Sequence, residues 1–188
     1  FVVPGGSSPG PVFDDLCEAD LDWSRVDVML SDERWVPEVH VRSNTRMIRE
    51  RLLVGRAAKA NYLPLYARAE APEAVLAELE SYIIPRLPIA VLLLGMGEDM
   101  HTASLFPGAD NLEVALGRRA PILVPMRAPG APEPRITLSA RVLNDAMSKH
   151  LILIGSSKRA ALDRAQSLPM HEAPVRAVLE DMNVHYCK

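Results

Sequence analysis

The sequence predicts an α/β fold built on one mostly parallel sheet with helices on both faces. Three observations lead there. Apolar runs alternate with amphipathic segments along the whole chain. The runs are short and continuously apolar, as strands buried on both faces should be. A length of 188 residues, 48% of them apolar and 24% charged, allows a sizeable core in a single α/β domain over residues 1–188.

The elements come in this order. Phe1–Val3 is a strand on which the chain opens directly, and this predicts a further segment upstream. Val12, Phe13, Leu16 and Cys17 then keep helical spacing, with Ser8 as the expected N-cap and Pro9 in the first helical position. Val26–Leu30 reads as the second strand. Ile48, Leu52 and Leu53 form the buried stripe of a helix that Ser43-Asn44 would cap. Pro72 opens a helix whose buried line is Val75, Leu76, Leu79 and Ile83, and Pro85 stops it. Further strands are expected at Ile89–Leu94, Ile122–Val124, Ile136–Leu138, Leu151–Ile154 and Val184–Cys187. A last helix after Lys158 buries Ala161, Leu162, Ala165 and Leu168. Pro125, Pro129, Pro132 and Pro134 cluster around Gly130 as an exposed loop, either a lid or a rigid surface feature.

Composition narrows the function classes. With 21 Lys and Arg against 24 Asp and Glu, the formal net charge is −3, without the basic excess of a nucleic-acid binder. No apolar run approaches the roughly 20 residues of a membrane span, and no secretory leader pattern is present. Two cysteines, Cys17 and Cys187, make neither a disulfide framework nor a metal motif, which points to a reducing cytoplasm. Nothing in the sequence addresses the oligomeric state.

Ligands of open α/β sheets bind outside the carboxyl ends of the strands, and three strand ends here are chemically unusual. After the first strand, Gly5-Gly6-Ser7-Ser8 offers close backbone approach and hydroxyl donors at a helix start, the makings of a phosphate cradle. The same residues also suit an ordinary turn and cap. After the second strand, Asp32-Glu33-Arg34-Trp35 places two acids and an arginine where burial demands partners. Arg34 can hold an oxyanion there, or make a surface salt bridge with Trp35 packed nearby. After Leu92-Leu93-Leu94, Gly95-Met96-Gly97 delivers Asp99 and His101, a carboxylate beside a general base. A dinucleotide fingerprint fails because Met100 takes the sixth position of the Gly-x-Gly-x-x-Gly pattern. No His or Cys sits at zinc-ligand spacing to His101; His40, His150, His171 and His185 are scattered and read as structural or surface residues. Arg135, opening a strand, and Lys158, at a strand-to-helix turn, are two further cations at such ends.

Gly5-Gly6-Ser7-Ser8-Pro9, Asp32-Glu33-Arg34-Trp35-Val36-Pro37 with Ser43-Asn44, and Leu93-Leu94-Gly95-Met96-Gly97-Glu98-Asp99-x-His101-Thr102-Ala103-Ser104-Leu105-Phe106-Pro107 together resemble the 6-phosphogluconolactonase family. Arg135-Ile136-Thr137-Leu138, Gly155-x-x-Lys158 and Pro174-Val175-Arg176 continue the resemblance in the same order. It implies a Rossmann-like fold of the type shared with glucosamine-6-phosphate deaminase and ribose-5-phosphate isomerase. It also implies hydrolysis of 6-phospho-D-glucono-1,5-lactone in the oxidative pentose phosphate pathway, with no cofactor and no metal. On this resemblance His101, Asp99 and Arg34 carry the chemistry, while Gly6, Ser7, Ser8, Arg135 and Lys158 hold the sugar phosphate. A non-catalytic sugar-phosphate binder and the deaminase are the alternatives. Against the latter, Ser104-Leu105-Phe106-Pro107 lacks the acid that the deaminase loop carries. One departure stands out: the family has Gly where this chain has Met100. A positive φ at that position would strain a Met, and a site close to the sugar would be blocked by one.

Overall fold

The computed structural model describes residues Phe1–Lys188. Strands β1 (Val2–Val3), β2 (Asp27–Leu30), β4 (Asn61–Leu63), β5 (Val91–Gly95), β8 (Ser148–Ile154) and β9 (Met182–Cys187) form one sheet in the order β4-β2-β1-β5-β8-β9. All its pairings are parallel. Leu92, Leu93 and Leu94 are consecutive, so they face alternate sides of the sheet, yet all three are buried. Both faces are therefore covered at β5, as the continuous apolar run predicts.

A second, antiparallel sheet of order β3-β7-β6 comprises β3 (Asp32–Arg34), β7 (Arg135–Leu138) and β6 (Leu123–Met126). Neither β3 nor β4 is predicted from the sequence. Each has only three residues, and β3 is composed of charged ones that read as a loop. Pro125 lies in β6, so the proline-rich loop is shorter than expected and spans 127–134.

The helices are α1 (Gly10–Leu16), α2 (Asn44–Arg51), α3 (Leu76–Ile83), α4 (Leu112–Leu116), α5 (Ala140–Asn144) and α6 (Ser156–Ala165). Ser43 caps α2 by accepting a hydrogen bond from the Arg46 amide, as expected. The expected cap of α1 is wrong: Pro9 holds that position and the Ser8 hydroxyl turns elsewhere. Val12 is exposed rather than buried, whereas Phe13 and Cys17 enter the core. The helix opened by Pro72 begins as a 3-10 turn, Pro72–Val75, and ends in another that contains Pro85. Lys158 belongs to the first turn of α6 instead of preceding it. The histidines are not all scattered. Parallel pairing of β8 with β9 brings His150 Nδ1 and His185 Nε2 to 2.9 Å. No helix is long and apolar enough to cross a membrane.

Candidate functional site

A cleft of ≈ 230 Å³ opens at the carboxyl ends of β1, β5 and β8. Gly6, Ser7, Ser8, Arg34, His101, Arg135 and Lys158 all line it, together with Asp32 and Asn44. Every predicted site residue except Asp99 thus faces one space, although the chain separates Ser8 from Lys158 by 150 positions.

At one end lies the turn after β1. Gly6 has φ +84°, a conformation that favours glycine, and no atom would crowd a side chain there. The backbone, not the space, is what requires glycine at this position. Gly5 answers a different need, since a Cβ on it would stand 2.0 Å from Asn44 Oδ1. The amides of Gly6, Ser7 and Ser8 donate to no protein acceptor. The helix end contributes less than expected. Pro9 and Pro11 have no N–H, and the Gly10 amide donates to the Ser7 carbonyl at 3.2 Å. Lys158 compensates: its Nζ donates to Ser8 Oγ at 3.0 Å, placing an ammonium beside the three free amides.

The middle of the cleft is arginine. Arg34 and Arg135 are direct register partners across β3 and β7. Arg34 Nη1 donates to the Arg42 carbonyl at 2.7 Å, which fixes the direction of its guanidinium. Arg135 is nearly buried, with its nearest carboxylate, Asp32, at 3.9 Å. Burial pulls its pKa below the usual arginine value, the Asp32 charge opposes this, and the Arg34 charge adds to it. The Nε atoms of both arginines are buried and lack a partner. Two guanidiniums side by side with unsatisfied donors make a site that an anion stabilises.

Asp32, which has no predicted role, is held by Ser31 Oγ at 3.1 Å and Ser104 Oγ at 2.6 Å. Glu33 is fully buried and accepts from the amides of Arg34, Asn44 and Thr45 and from the hydroxyls of Ser43 and Thr45. Burial pushes its pKa up while these hydrogen bonds pull it down. Its work is structural: a carboxylate at the start of α2 anchors Asn44 beside the cleft. Charged residues directly after a buried strand are the sequence signal for both acids.

At the other end is the imidazole. His101 Nδ1 lies 2.5 Å from Asp99 Oδ1, and the His101 amide donates to the same oxygen at 3.2 Å. Partial burial raises the Asp99 pKa, but the hydrogen bond and charge of His101 outweigh it and hold the carboxyl below the usual value. With Nδ1 committed, Nε2 is the nitrogen left for a ligand. Gly97 makes room for the pair, because a Cβ there would lie 2.3 Å from His101 Nδ1. Met100 has φ +65°, so the strain anticipated for a non-glycine residue is present. It does not line the cleft, so it blocks nothing. No residue of the 127–134 loop lines the cleft either, and the ion pair of its Glu133 with Arg42 ties that loop to the segment before α2. Arg176 serves the frame by donating to the Leu168 carbonyl. No cluster of three or more His, Cys, Asp or Glu offers a metal-ligand set.

Comparison with known proteins gives the chain its family. The family model of glucosamine-6-phosphate isomerases/6-phosphogluconolactonase matches residues 1–186. The chain is 45% identical to a 6-phosphogluconolactonase of Pseudomonas aeruginosa, with 99% of this chain and 80% of the relative covered. It is 44% identical to a 6-phosphogluconolactonase of Rhizobium meliloti, covering 95% and 78%. The crystal structure of a 6-phosphogluconolactonase from Shewanella baltica superposes with a TM-score of 0.91 at 35% identity, covering 98% of this chain and 82% of that one. In sequence and in fold alike, the chain belongs to the glucosamine-6-phosphate isomerase/6-phosphogluconolactonase family.

Proposed function

We propose that this chain hydrolyses 6-phospho-D-glucono-1,5-lactone to 6-phosphogluconate, the lactone-opening step of the oxidative pentose phosphate pathway. The observation that carries the reading is one cleft with a carboxylate-held imidazole at one end and a cationic, amide-rich turn at the other. The 6-phosphate lies on the Gly6-Ser7-Ser8 turn against Lys158 and Arg135. Binding there holds the ring in attack geometry, where much of the acceleration arises. Nδ1–H of His101 donates a hydrogen bond to Asp99, which fixes the tautomer that leaves Nε2 free to act as the base. Nε2 takes a proton from water as its oxygen bonds to the lactone carbonyl carbon. Arg34 stabilises the oxyanion that forms. The intermediate collapses, the bond from that carbon to the ring oxygen breaks, and the imidazolium returns its proton to the departing ring oxygen. The products are a free hydroxyl and a carboxylic acid, which releases the second proton of the water to solvent and becomes a carboxylate.

A diffusible sugar phosphate as substrate and two unpaired cysteines support a cytoplasmic location. In this family the deaminase is the neighbouring activity. Where its loop carries an acid, this chain has Ser104-Leu105-Phe106-Pro107, and the Ser104 hydroxyl is committed to Asp32.

The lactone also hydrolyses unaided, so the test is fast: it generates the lactone in situ with glucose-6-phosphate dehydrogenase and follows its disappearance. Acceleration proportional to added protein is the expected result. Tight binding of 6-phosphogluconate without acceleration would mark a sugar-phosphate binder, and ammonia from glucosamine 6-phosphate would mark a deaminase.

A further inference from the structure

Phe106 joins the imidazole end of the cleft to the arginines at its middle without lining it. Its ring stacks on the His101 imidazole, with centroids 4.2 Å apart and planes at 29°. The Arg135 guanidinium carbon stands 5.3 Å from the centroid of the same ring. The local chain explains why a residue five positions after His101 returns to it. Ala103 has φ +49°, and Thr102 and Leu105 form an isolated antiparallel bridge closed by the Leu105 amide on the Thr102 carbonyl at 3.0 Å. Fully buried Leu105 anchors that tight turn in the core. Phe106 is absent from the cleft lining, so its part in the site runs through its neighbours.

Asp99 fixes one nitrogen of His101, but its side chain is 52% exposed, and one hydrogen bond leaves the ring free to pivot about it. A stacked aromatic supplies the missing constraint, since offset rings prefer a defined plane. The opposite demand falls on Arg135, whose cation is attracted to the face of the same ring. We propose that Phe106 is the positioning residue of this site, setting the plane of the His101 imidazole and its separation from the Arg135 cation. The inference rests on His101 acting as the base, and it adds a residue with no polar atom to the machinery.

The test compares Phe106→Leu with Phe106→Tyr, each in wild-type and His101→Ala backgrounds. Phe106→Leu lowers kcat by about 10- to 100-fold, the scale expected when a reacting group is misplaced by a fraction of an ångström to 1 Å. KM changes far less than kcat. Phe106→Tyr, which keeps the ring, restores most of the rate. In the His101→Ala background Phe106→Leu costs little more, because the group it positions is gone. Additive losses in the double variant, or a defect confined to KM, would overturn the proposal. A readout independent of turnover is the NMR shift of the His101 ring protons. The Phe106 ring current displaces them in the wild type, and Phe106→Leu abolishes the displacement while Phe106→Tyr keeps it. Unchanged shifts in Phe106→Leu would remove the stack, and with it the proposal, whatever the activity. If the Leu variant fails to fold, Phe106→Met reads the same loss of ring in a side chain of similar bulk. Should wild-type protein open no lactone, the functional reading fails, and the NMR comparison still decides whether the stack orients the imidazole.

Discussion

The two sheets of this molecule serve the cleft in different ways. The six-stranded parallel sheet contributes the segments beyond its strand ends: the glycine-serine turn after β1, the histidine loop after β5 and the lysine helix after β8. Its central strands are themselves apolar and buried. The small antiparallel sheet contributes side chains from within its strands, Arg34 from β3 and Arg135 from β7, directly opposite each other. Like charges paired across strands are destabilising, so this strand pair accepts a local cost that a bound anion removes. The parallel sheet brings loops together by topology, and those loops can vary. The small sheet brings charges together by register, and a slip of one residue would turn the arginines to the wrong face. Lesions in the histidine loop should therefore damage turnover, and lesions at the phosphate-facing cations Arg135 and Lys158 should damage binding.

The largest effect tests the loop side. His101→Ala removes the base and lowers kcat by about 10²- to 10⁴-fold while 6-phosphogluconate still binds. Steady-state rates and product titration check both halves, and unchanged turnover would exclude His101 from the chemistry. Gly97→Ala comes next. A Cβ 2.3 Å from His101 Nδ1 and 2.4 Å from Asp99 Oδ1 must push the pair apart. The expected loss in kcat is about 10²-fold, with a folded protein by thermal melt.

The cationic side has its own signature. Arg135→Ala raises KM by about 10- to 100-fold, the value of one or two charge-assisted hydrogen bonds, and weakens product inhibition in parallel. Lys158→Ala, at the glycine-serine turn, raises KM by about 10-fold. A defect in kcat alone for either variant would break the division between imidazole and cations.

The contrast between the sheets also explains what is legible in the sequence. Strands β1, β2, β5 and β8 announce themselves as apolar runs, and the glycines and polar residues at their ends mark the loops. Strand β3 does not announce itself. Asp-Glu-Arg resembles solvated loop, and only pairing with Thr137, Ile136 and Arg135, about a hundred positions away, makes it a strand. Asn44 carries no local mark of its place in the cleft for the same reason, and Asp32, though marked by its position after a buried strand, gives no sign of its partner Ser104, because these partners are tertiary neighbours. Periodicity carries no information about such contacts. The cap of α1 misleads more locally: Ser8 has the right chemistry, but two prolines flank the helix start and Lys158 claims the hydroxyl.

The smallest effect concerns Met100, which sits in the histidine loop yet outside the cleft. Its φ of +65° costs a non-glycine residue about 1–2 kcal/mol. Simple replacement by glycine would mix relief of that strain with loss of a half-buried side chain that packs on the core. Comparing Met100→Gly with Met100→Ala cancels the packing loss, since both remove the side chain beyond Cβ. Glycine should then be the more stable of the two by about 1 kcal/mol, or about 2–4 °C in Tm for a chain of this size. Both variants should keep kcat near the wild-type value, because the Met100 carbonyl still accepts from the Val175 amide and holds the loop in place. Equal melting temperatures would show that the loop relaxes out of the left-handed conformation. A fall in kcat in either variant would make the side chain, and not only the backbone, part of what holds the imidazole.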